Sequence, residues 1–178
     1  MNSVRKTRKL ALFAMTLLLT SASTLRADDG SGSSLDVPEA KRTEPGLYVT
    51  AAEAYLKWKA DPEGVKIIDV RTPEEYIFVG HPAMAWNIPL KFIEHKWDAA
   101  AKKPVMPVNP NFVAQVKRVA KPDDTLLVMC RSGQRSAAAA NALAKAGFAK
   151  AYSVVDGFEG DKMKDPESPF NGKRKVNG

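Results

Sequence analysis

The only cysteine of the chain, Cys130, begins a segment whose residue types suit the binding of an anion. The segment is Cys130-Arg131-Ser132-Gly133-Gln134-Arg135-Ser136, and it follows the apolar run 125–129. When a strand passes through a short loop into a helix, several backbone amides are left without partners and can converge on a negative charge. The helix dipole and the two arginines favour a thiolate over a thiol. Cys130 is therefore predicted to be a catalytic nucleophile.

The residues that follow the cysteine are predicted to bind substrate. Arg131 and Arg135 would supply two cations for an anionic substrate, and Gly133 lets the backbone turn tightly. The amides of residues 132–136, including those of Ser132, Gln134 and Ser136, would hold an oxyanion or a bound persulfide. The alternative is a cysteine that merely packs in the core. Two arginines and a glycine are poor packing residues, so this alternative fits less well.

The elements that must position this segment alternate along the chain. The apolar runs 65–70 and 125–129 are typical of strands buried on both faces of a parallel sheet. Shorter strands are predicted at 47–49, 83–87 and 151–155. Helices are predicted to begin after Thr50 and after Thr72, because each is followed three residues later by a glutamate that can complete a capping box.

Further helices are predicted after Asn109-Pro110, from near Ser136 to Lys145, and around residues 92–101. This alternation predicts an α/β fold with a central parallel sheet and helices on both faces. Ligands of such sheets bind beyond the carboxyl ends of the strands, where Asp69 and Cys130 are both expected.

The two ends of the chain differ in composition from its middle. Residues 1–27 are typical of a secretory signal, because basic residues 5–9 precede the apolar run 10–19 and a plausible cleavage site before Asp28. An uncleaved membrane anchor is the alternative. We expect export, with the bacterial periplasm as the destination and no membrane contact after cleavage. Residues 28–45 are predicted to be a flexible linker, 46–163 the domain, and 164–178 a loosely held polar tail.

Charge and cysteine content exclude some classes of function. The formal charge of +7 falls to about +2 when the five basic residues of 1–27 are set aside. Such a balance gives no electrostatic case for a nucleic-acid partner. A single cysteine excludes an internal disulfide, so an exported protein would keep this thiol only if it were buried or used in chemistry.

Several ordered blocks of the chain resemble the rhodanese family of sulfurtransferases. They are residues 67–76, Gly80-His81-Pro82, Asn87-Ile88-Pro89, and 128–136 with the helix ending at Gly147-Phe148. The resemblance covers about residues 46–163 and implies a rhodanese-like fold. It also implies that sulfane sulfur moves from a donor such as thiosulfate to cyanide or a thiol through a persulfide on Cys130. Arg131 and Arg135 would bind the donor.

The resemblance extends to partners and supporting residues. It implies a small anionic sulfur donor and a thiol or cyanide acceptor, admits a redox protein as a further partner, and requires no metal or organic cofactor. Asp69 and Arg71 match the acid and base that follow the second strand of the family, and Asp69 would pair with a loop arginine. The alternative is an ordinary acid at a helix start and a surface arginine. His81 would hold a loop, and Trp86 is expected in the core or at the pocket border.

Two other functions remain open. Phosphatases and arsenate reductases of the related fold place five residues between the cysteine and the arginine, whereas four separate Cys130 from Arg135 here. The shorter loop should form a smaller cradle, better suited to sulfur than to a tetrahedral phosphate. The second alternative is a module that carries sulfur or binds a partner without free turnover. The presence of the cysteine with two arginines argues for activity.

Overall fold

The computed structural model describes residues 36–176, with side chains through Arg174. The predicted signal, 1–27, and the first part of the predicted linker lie outside the described residues. A 3-10 helix at Glu39–Lys41 precedes the named elements. The strands and helices, in chain order, are β1 (Tyr48–Val49), α1 (Ala51–Ala60), β2 (Val65–Asp69), α2 (Pro73–Phe78), β3 (Ala85–Asn87), β4 (Trp97–Asp98), β5 (Lys103–Pro104), α3 (Phe112–Val116), β6 (Thr125–Met129), α4 (Gln134–Lys145), β7 (Ala151–Val154), β8 (Asp161–Lys162) and β9 (Arg174–Val176).

The centre of the fold is a five-stranded sheet in the order β1-β7-β6-β2-β3. Every neighbouring pair in it is parallel, which confirms the predicted α/β class. Asp69, the last residue of β2, pairs in register with Met129, the last residue of β6. The residues that leave these two strands therefore emerge side by side at one edge of the sheet.

Alternation along the central strands divides the core between the two faces of the sheet. Ile68, Leu126 and Val128 pack with residues of α3 and α4 on one face. Ile67 and Leu127 pack with residues of α1 on the other. Both faces are apolar because helices cover both, as expected for a parallel sheet.

Two helix starts agree with their sequence signals, and one predicted helix is wrong. Thr50 and Thr72 form the capping boxes expected of them, with Glu53 and Glu75. The helix predicted around residues 92–101 is replaced by the antiparallel strands β4 and β5. The Asp98 carboxylate accepts hydrogen bonds from the amides of residues 100 and 101. A side chain that captures nearby amides in this way favours a turn over a helix.

The segments before and after the domain are better ordered than their composition predicted. Within the predicted linker, Val37 and Lys41 are buried against the domain. Within the predicted tail, β9 folds back and pairs with β8. Parts of both segments therefore contact the domain, which their composition did not indicate. Among the described residues, no helix has the length and hydropathy that a membrane crossing requires.

Candidate active site

Cys130 lies immediately after β6, at the carboxyl edge of the sheet. Its side chain is almost fully buried, with 2% exposed. The Sγ atom accepts a hydrogen bond from the amide of Gly133 over 3.2 Å. The thiol is thus held by the loop that it begins, at the amino-terminal end of α4.

The loop is two residues shorter than the sequence predicted. Helix α4 begins at Gln134 rather than near Ser136, and Gly133 is its N-cap with φ of 99°. A side chain on Gly133 would bring its Cβ to 2.3 Å from the carbonyl oxygen of Val155. Only glycine therefore allows this close contact with the segment after β7. With Gly133 fixed there as the N-cap, α4 begins earlier than predicted. As a result, Arg135 and Ser136 lie in the first helical turn.

The first turn of α4 leaves polar groups available beside the thiol. The helical bond nearest to its start runs from the Ala137 amide to the Gly133 carbonyl, so the preceding amides fall outside the helical ladder. The Ser136 Oγ atom is fully buried and has no hydrogen-bond partner among the described residues. Residues 132–136, which were predicted to hold the anion, therefore comprise the end of the loop and the first turn of α4.

Arg135 binds an acid that the sequence analysis assigned only to a helix cap. Its two terminal nitrogens donate to the two carboxylate oxygens of Glu75, each over 2.6 Å. Burial disfavours the charged form of both side chains. The mutual hydrogen bonds nevertheless raise the pKa of Arg135 and lower the pKa of Glu75 relative to their ordinary values. Arg135 is therefore a cation already paired within the protein.

Arg131 differs from Arg135 because its side chain is exposed to solvent. It makes no ion pair among residues 36–174, whose side chains the structure describes. Its positive charge still contributes to lowering the pKa of Glu75, after the larger effects of burial, Arg135 and the Thr72 amide. Arg131 is therefore the exposed cation of the cysteine loop.

Asp69 and Arg71 are brought to the site but not in the expected pairing. Asp69 was predicted to bind a loop arginine, and it binds Arg71 instead, with Nη2 to Oδ2 at 2.6 Å and Nε to both carboxylate oxygens at 3.0 Å. Both side chains are completely buried. The alternative of a surface arginine is therefore wrong. The reason is local: only Val70 separates the two residues in the turn that leaves β2.

The segment after β7 forms a wall behind the cysteine loop. The amides of Phe158 and Glu159 donate to the carbonyls of Cys130 and Arg131, over 2.8 and 2.9 Å. A Cβ on Gly157 would lie 2.6 Å from backbone atoms of residues 130–132. The ring of Phe158 also stacks on the Arg71 guanidinium, 4.1 Å from its centroid. This wall joins the loop after β2 to the cysteine loop.

The Gly80-His81 turn completes the edge of the site. Nη2 of Arg71 donates to the Gly80 carbonyl over 2.8 Å. The ring of His81 stacks on Tyr76, and its Nδ1 lies 2.9 Å from the Tyr76 carbonyl oxygen. This is the loop-holding role expected of His81. Trp86 contributes nothing to the core, since 51% of it is exposed on the edge strand β3.

Sequence reasoning did not identify Glu75 as part of the site. The capping box located Glu75 in the first turn of α2, directly after the carboxyl end of β2. The first turn of α4 occupies the equivalent place after β6. Because both first turns lie at the same edge of the sheet, the sequence did contain a signal that Glu75 and Arg135 could meet.

Comparisons with known proteins agree with this geometry. The family model described as Rhodanese-like domain matches residues 51–164. Thiosulfate sulfurtransferase 16 of Arabidopsis thaliana is 32% identical over 120 residues, covering 67% of this chain and 88% of that protein. Senescence-associated protein DIN1 of Raphanus sativus is 34% identical over 95 residues, covering 53% of this chain. The chain spans about half the length of that radish relative. The crystal structure of Rv0390 from M. tuberculosis has a TM-score of 0.51 and 30% identity, covering 73% of this chain and 88% of that one.

Gly157→Ala should destabilise the protein more than the same change at a glycine of similar backbone conformation. Gly46 has φ of 66°, close to the 70° of Gly157, but nothing lies within 4 Å of its added Cβ. Gly46→Ala should cost about 1 kcal/mol through backbone strain alone. Gly157→Ala should cost about 1–3 kcal/mol more, because its Cβ overlaps the cysteine loop. Urea unfolding of both variants measures the difference, and equal losses would show that the close approach is unimportant.

Glu75→Gln should lower the free energy of unfolding at neutral pH. It should also make that free energy change less as the pH is lowered. The folded protein lowers the pKa of Glu75. Its contribution is therefore complete above the ordinary pKa of 4.5 and is lost as the pH falls through the lower folded value. We expect a loss of about 1–3 kcal/mol at pH 7 that shrinks towards pH 3, measured by urea unfolding.

Glu53→Gln is the matched control for this variant. Glu53 occupies the same capping-box position in α1, and glutamine also serves there. Among the described residues, no arginine or lysine forms a salt bridge with it. A loss equal to that of Glu75→Gln would attribute the effect to capping rather than to Arg135.

Proposed function

Because the chain belongs to the rhodanese-like domain family, we propose that it is a sulfurtransferase whose Cys130 carries sulfur as a persulfide. The observation that carries the proposal is the setting of the thiol. Its Sγ atom is buried, accepts the Gly133 amide at the start of α4, and neighbours the exposed cation of Arg131. A nucleophilic sulfur at the positive end of a helix, beside a cation, suits an anionic sulfur donor.

The first half of the proposed cycle loads the cysteine. The Cys130 thiolate attacks the outer sulfur of thiosulfate, and a new S–S bond forms at Sγ. The S–S bond of thiosulfate breaks, and its electron pair leaves with sulfite. The hydroxyl of Ser136, buried without a partner among the described residues, and the amides at the start of α4 support the bound sulfur.

The second half unloads the cysteine. Cyanide or a thiol attacks the outer sulfur of the persulfide, the bond from that sulfur to Sγ breaks, and Cys130 is restored as a thiolate. The same residue thus serves as nucleophile and then as leaving group, which predicts ping-pong kinetics. The relative named thiosulfate sulfurtransferase 16 supports thiosulfate as the donor to test first.

Cys130→Ser should abolish sulfur transfer. A hydroxyl does not form a stable persulfide, so thiosulfate:cyanide turnover by the full-length chain should fall by at least about a thousandfold. Intact-mass measurement after incubation with thiosulfate should show a gain of about 32 Da in the unchanged protein and none in the variant. Equal activity of the two proteins would refute the proposal. Loading without release to cyanide would instead identify a sulfur carrier, and hydrolysis of an aryl phosphate without loading would identify a phosphatase.

The two arginines should respond differently to the same substitution. Arg131→Gln should raise the KM for thiosulfate about tenfold, the equivalent of one charge-assisted contact, and leave stability within about 0.5 kcal/mol. Arg135→Gln should lower stability by about 1–3 kcal/mol, because the Glu75 carboxylate loses its partner. Initial rates and urea unfolding measure both effects. An unchanged KM in Arg131→Gln would contradict its role in donor binding.

A further inference from the structure

Lys41 is a charged side chain that lies almost buried beside the cysteine loop. It belongs to the 3-10 helix Glu39–Lys41, and 11% of its side chain is exposed. Its Nζ atom donates to the Val155 carbonyl and to the Asp161 carboxylate, each over 2.8 Å. Burying an ammonium group is costly unless it is paired and hydrogen-bonded. These two partners therefore fix where the side chain of Lys41 lies.

The carbonyl that Lys41 binds is the one that closely approaches Gly133. A Cβ added to Gly133 would lie 2.3 Å from the Val155 carbonyl oxygen and 2.9 Å from the Lys41 Cδ atom. Gly133 thus packs against the acceptor of this hydrogen bond and against the stem of its donor. Strands β6 and β7 pair in register as far as Val128 and Ser153. The contact of these three residues therefore joins the two chain segments just beyond the end of that pairing.

Gly133 connects this contact to the thiol. It is the N-cap of α4, with φ of 99°, and its amide donates to the Cys130 Sγ atom over 3.2 Å. A small displacement of a group that is positioned for a reaction can lower the rate markedly. Both hydrogen bonds of the Lys41 side chain go to other groups, so Lys41 acts on the sulfur through Gly133.

The segment that carries Lys41 is attached to α4 at a second place. The Glu44 amide donates to Oδ1 of Asn141, and the Glu44 carboxylate pairs with Nζ of Lys145, each over 2.8 Å. The segment is therefore held near the end of α4 as well as at its start. It lies outside the match to the family model, which covers 51–164, so this support comes from outside the matched domain.

We infer that Lys41 is a positioning residue that holds the Gly133 amide on the Cys130 sulfur. The inference rests on the proposed sulfurtransferase function, because it gives Lys41 a part in the loading of Cys130. Lys41 keeps the Val155 carbonyl against Gly133, and the Gly133 amide then supports the attacking thiolate and the persulfide that results. The proposed cation for the donor is Arg131. Loss of Lys41 should therefore slow loading more than it weakens the binding of thiosulfate.

Lys41→Met in the full-length chain tests this role. Methionine keeps an unbranched apolar stem and lacks the ammonium group. The single-turnover rate of the mass gain of about 32 Da should fall about tenfold at saturating thiosulfate. The thiosulfate concentration that gives half of the maximal rate should change by less than about twofold. Lys41→Arg restores a cation with several donors and should bring the rate to within about threefold of the unchanged protein.

Two kinetic results would overturn the inference. One is an unchanged loading rate in Lys41→Met. The other is a rise in the half-saturating concentration of thiosulfate as large as the fall in rate, because that result would assign Lys41 to donor binding.

Val65→Ala is the control for a general loss of stability. Val65 is buried at the start of β2, at the opposite end of the strand from Asp69, and its truncation destabilises the core. Urea unfolding measures the loss of stability in both variants. Hydrogen–deuterium exchange of residues 131–136 should accelerate at least about threefold in Lys41→Met and remain unchanged in Val65→Ala. Equal acceleration, or equally slowed loading, at comparable stability would show that Lys41 only stabilises the fold.

The exchange measurement also separates the inference from the function on which it rests. Absence of the mass gain in the unchanged protein would refute the proposed function, and the role of Lys41 in loading with it. Unaltered exchange of residues 131–136 in Lys41→Met, in a protein that does load sulfur, would refute the role of Lys41 alone.

Discussion

The guanidinium of Arg71 is buried away from solvent, and the segments around the cysteine loop supply partners for it. A buried charge without partners costs several kcal/mol. Arg71 therefore needs the Asp69 carboxylate, the Gly80 carbonyl and the face of the Phe158 ring. The amide of Phe158 in turn donates to the Cys130 carbonyl. One buried cation thus links the turn after β2, the Gly80-His81 turn and the wall behind the cysteine loop.

The two arginines near Cys130 appear equivalent in the sequence, but their electrostatic surroundings in the structure differ. Arg135 is oriented by Glu75 through two short hydrogen bonds, so most of its charge is balanced inside the protein. Arg131 extends into solvent and leaves the net positive charge at the surface. The first turn of α4 therefore carries a paired cation, and the residue next to the thiol carries an exposed one.

The flanking segments add contacts to the wall behind the cysteine loop. That loop, the wall after β7 and four of the five sheet strands lie within the residues that match the family, and β1 lies just before them. Lys41 and Arg174 come from outside that range and bind the same wall by hydrogen bonds to Val155 and Gly160. Both residues lie beside Ser132 and Gln134 of the cysteine loop and α4.

Local patterns in the sequence were sufficient for the parallel sheet, the capping boxes of Thr50 and Thr72, and the place of Cys130 at a strand end. Each of these depends on neighbouring residues. The tertiary structure alone decided the rest. It paired Arg135 with Glu75, 60 residues away, and it started α4 at Gln134 because Gly133 approaches a carbonyl of the segment after β7. It also buried Arg71. Packing brings such partners together although they are far apart in the chain. The spacing of residues in the sequence does not show which of several candidate partners will be close enough to form a hydrogen bond.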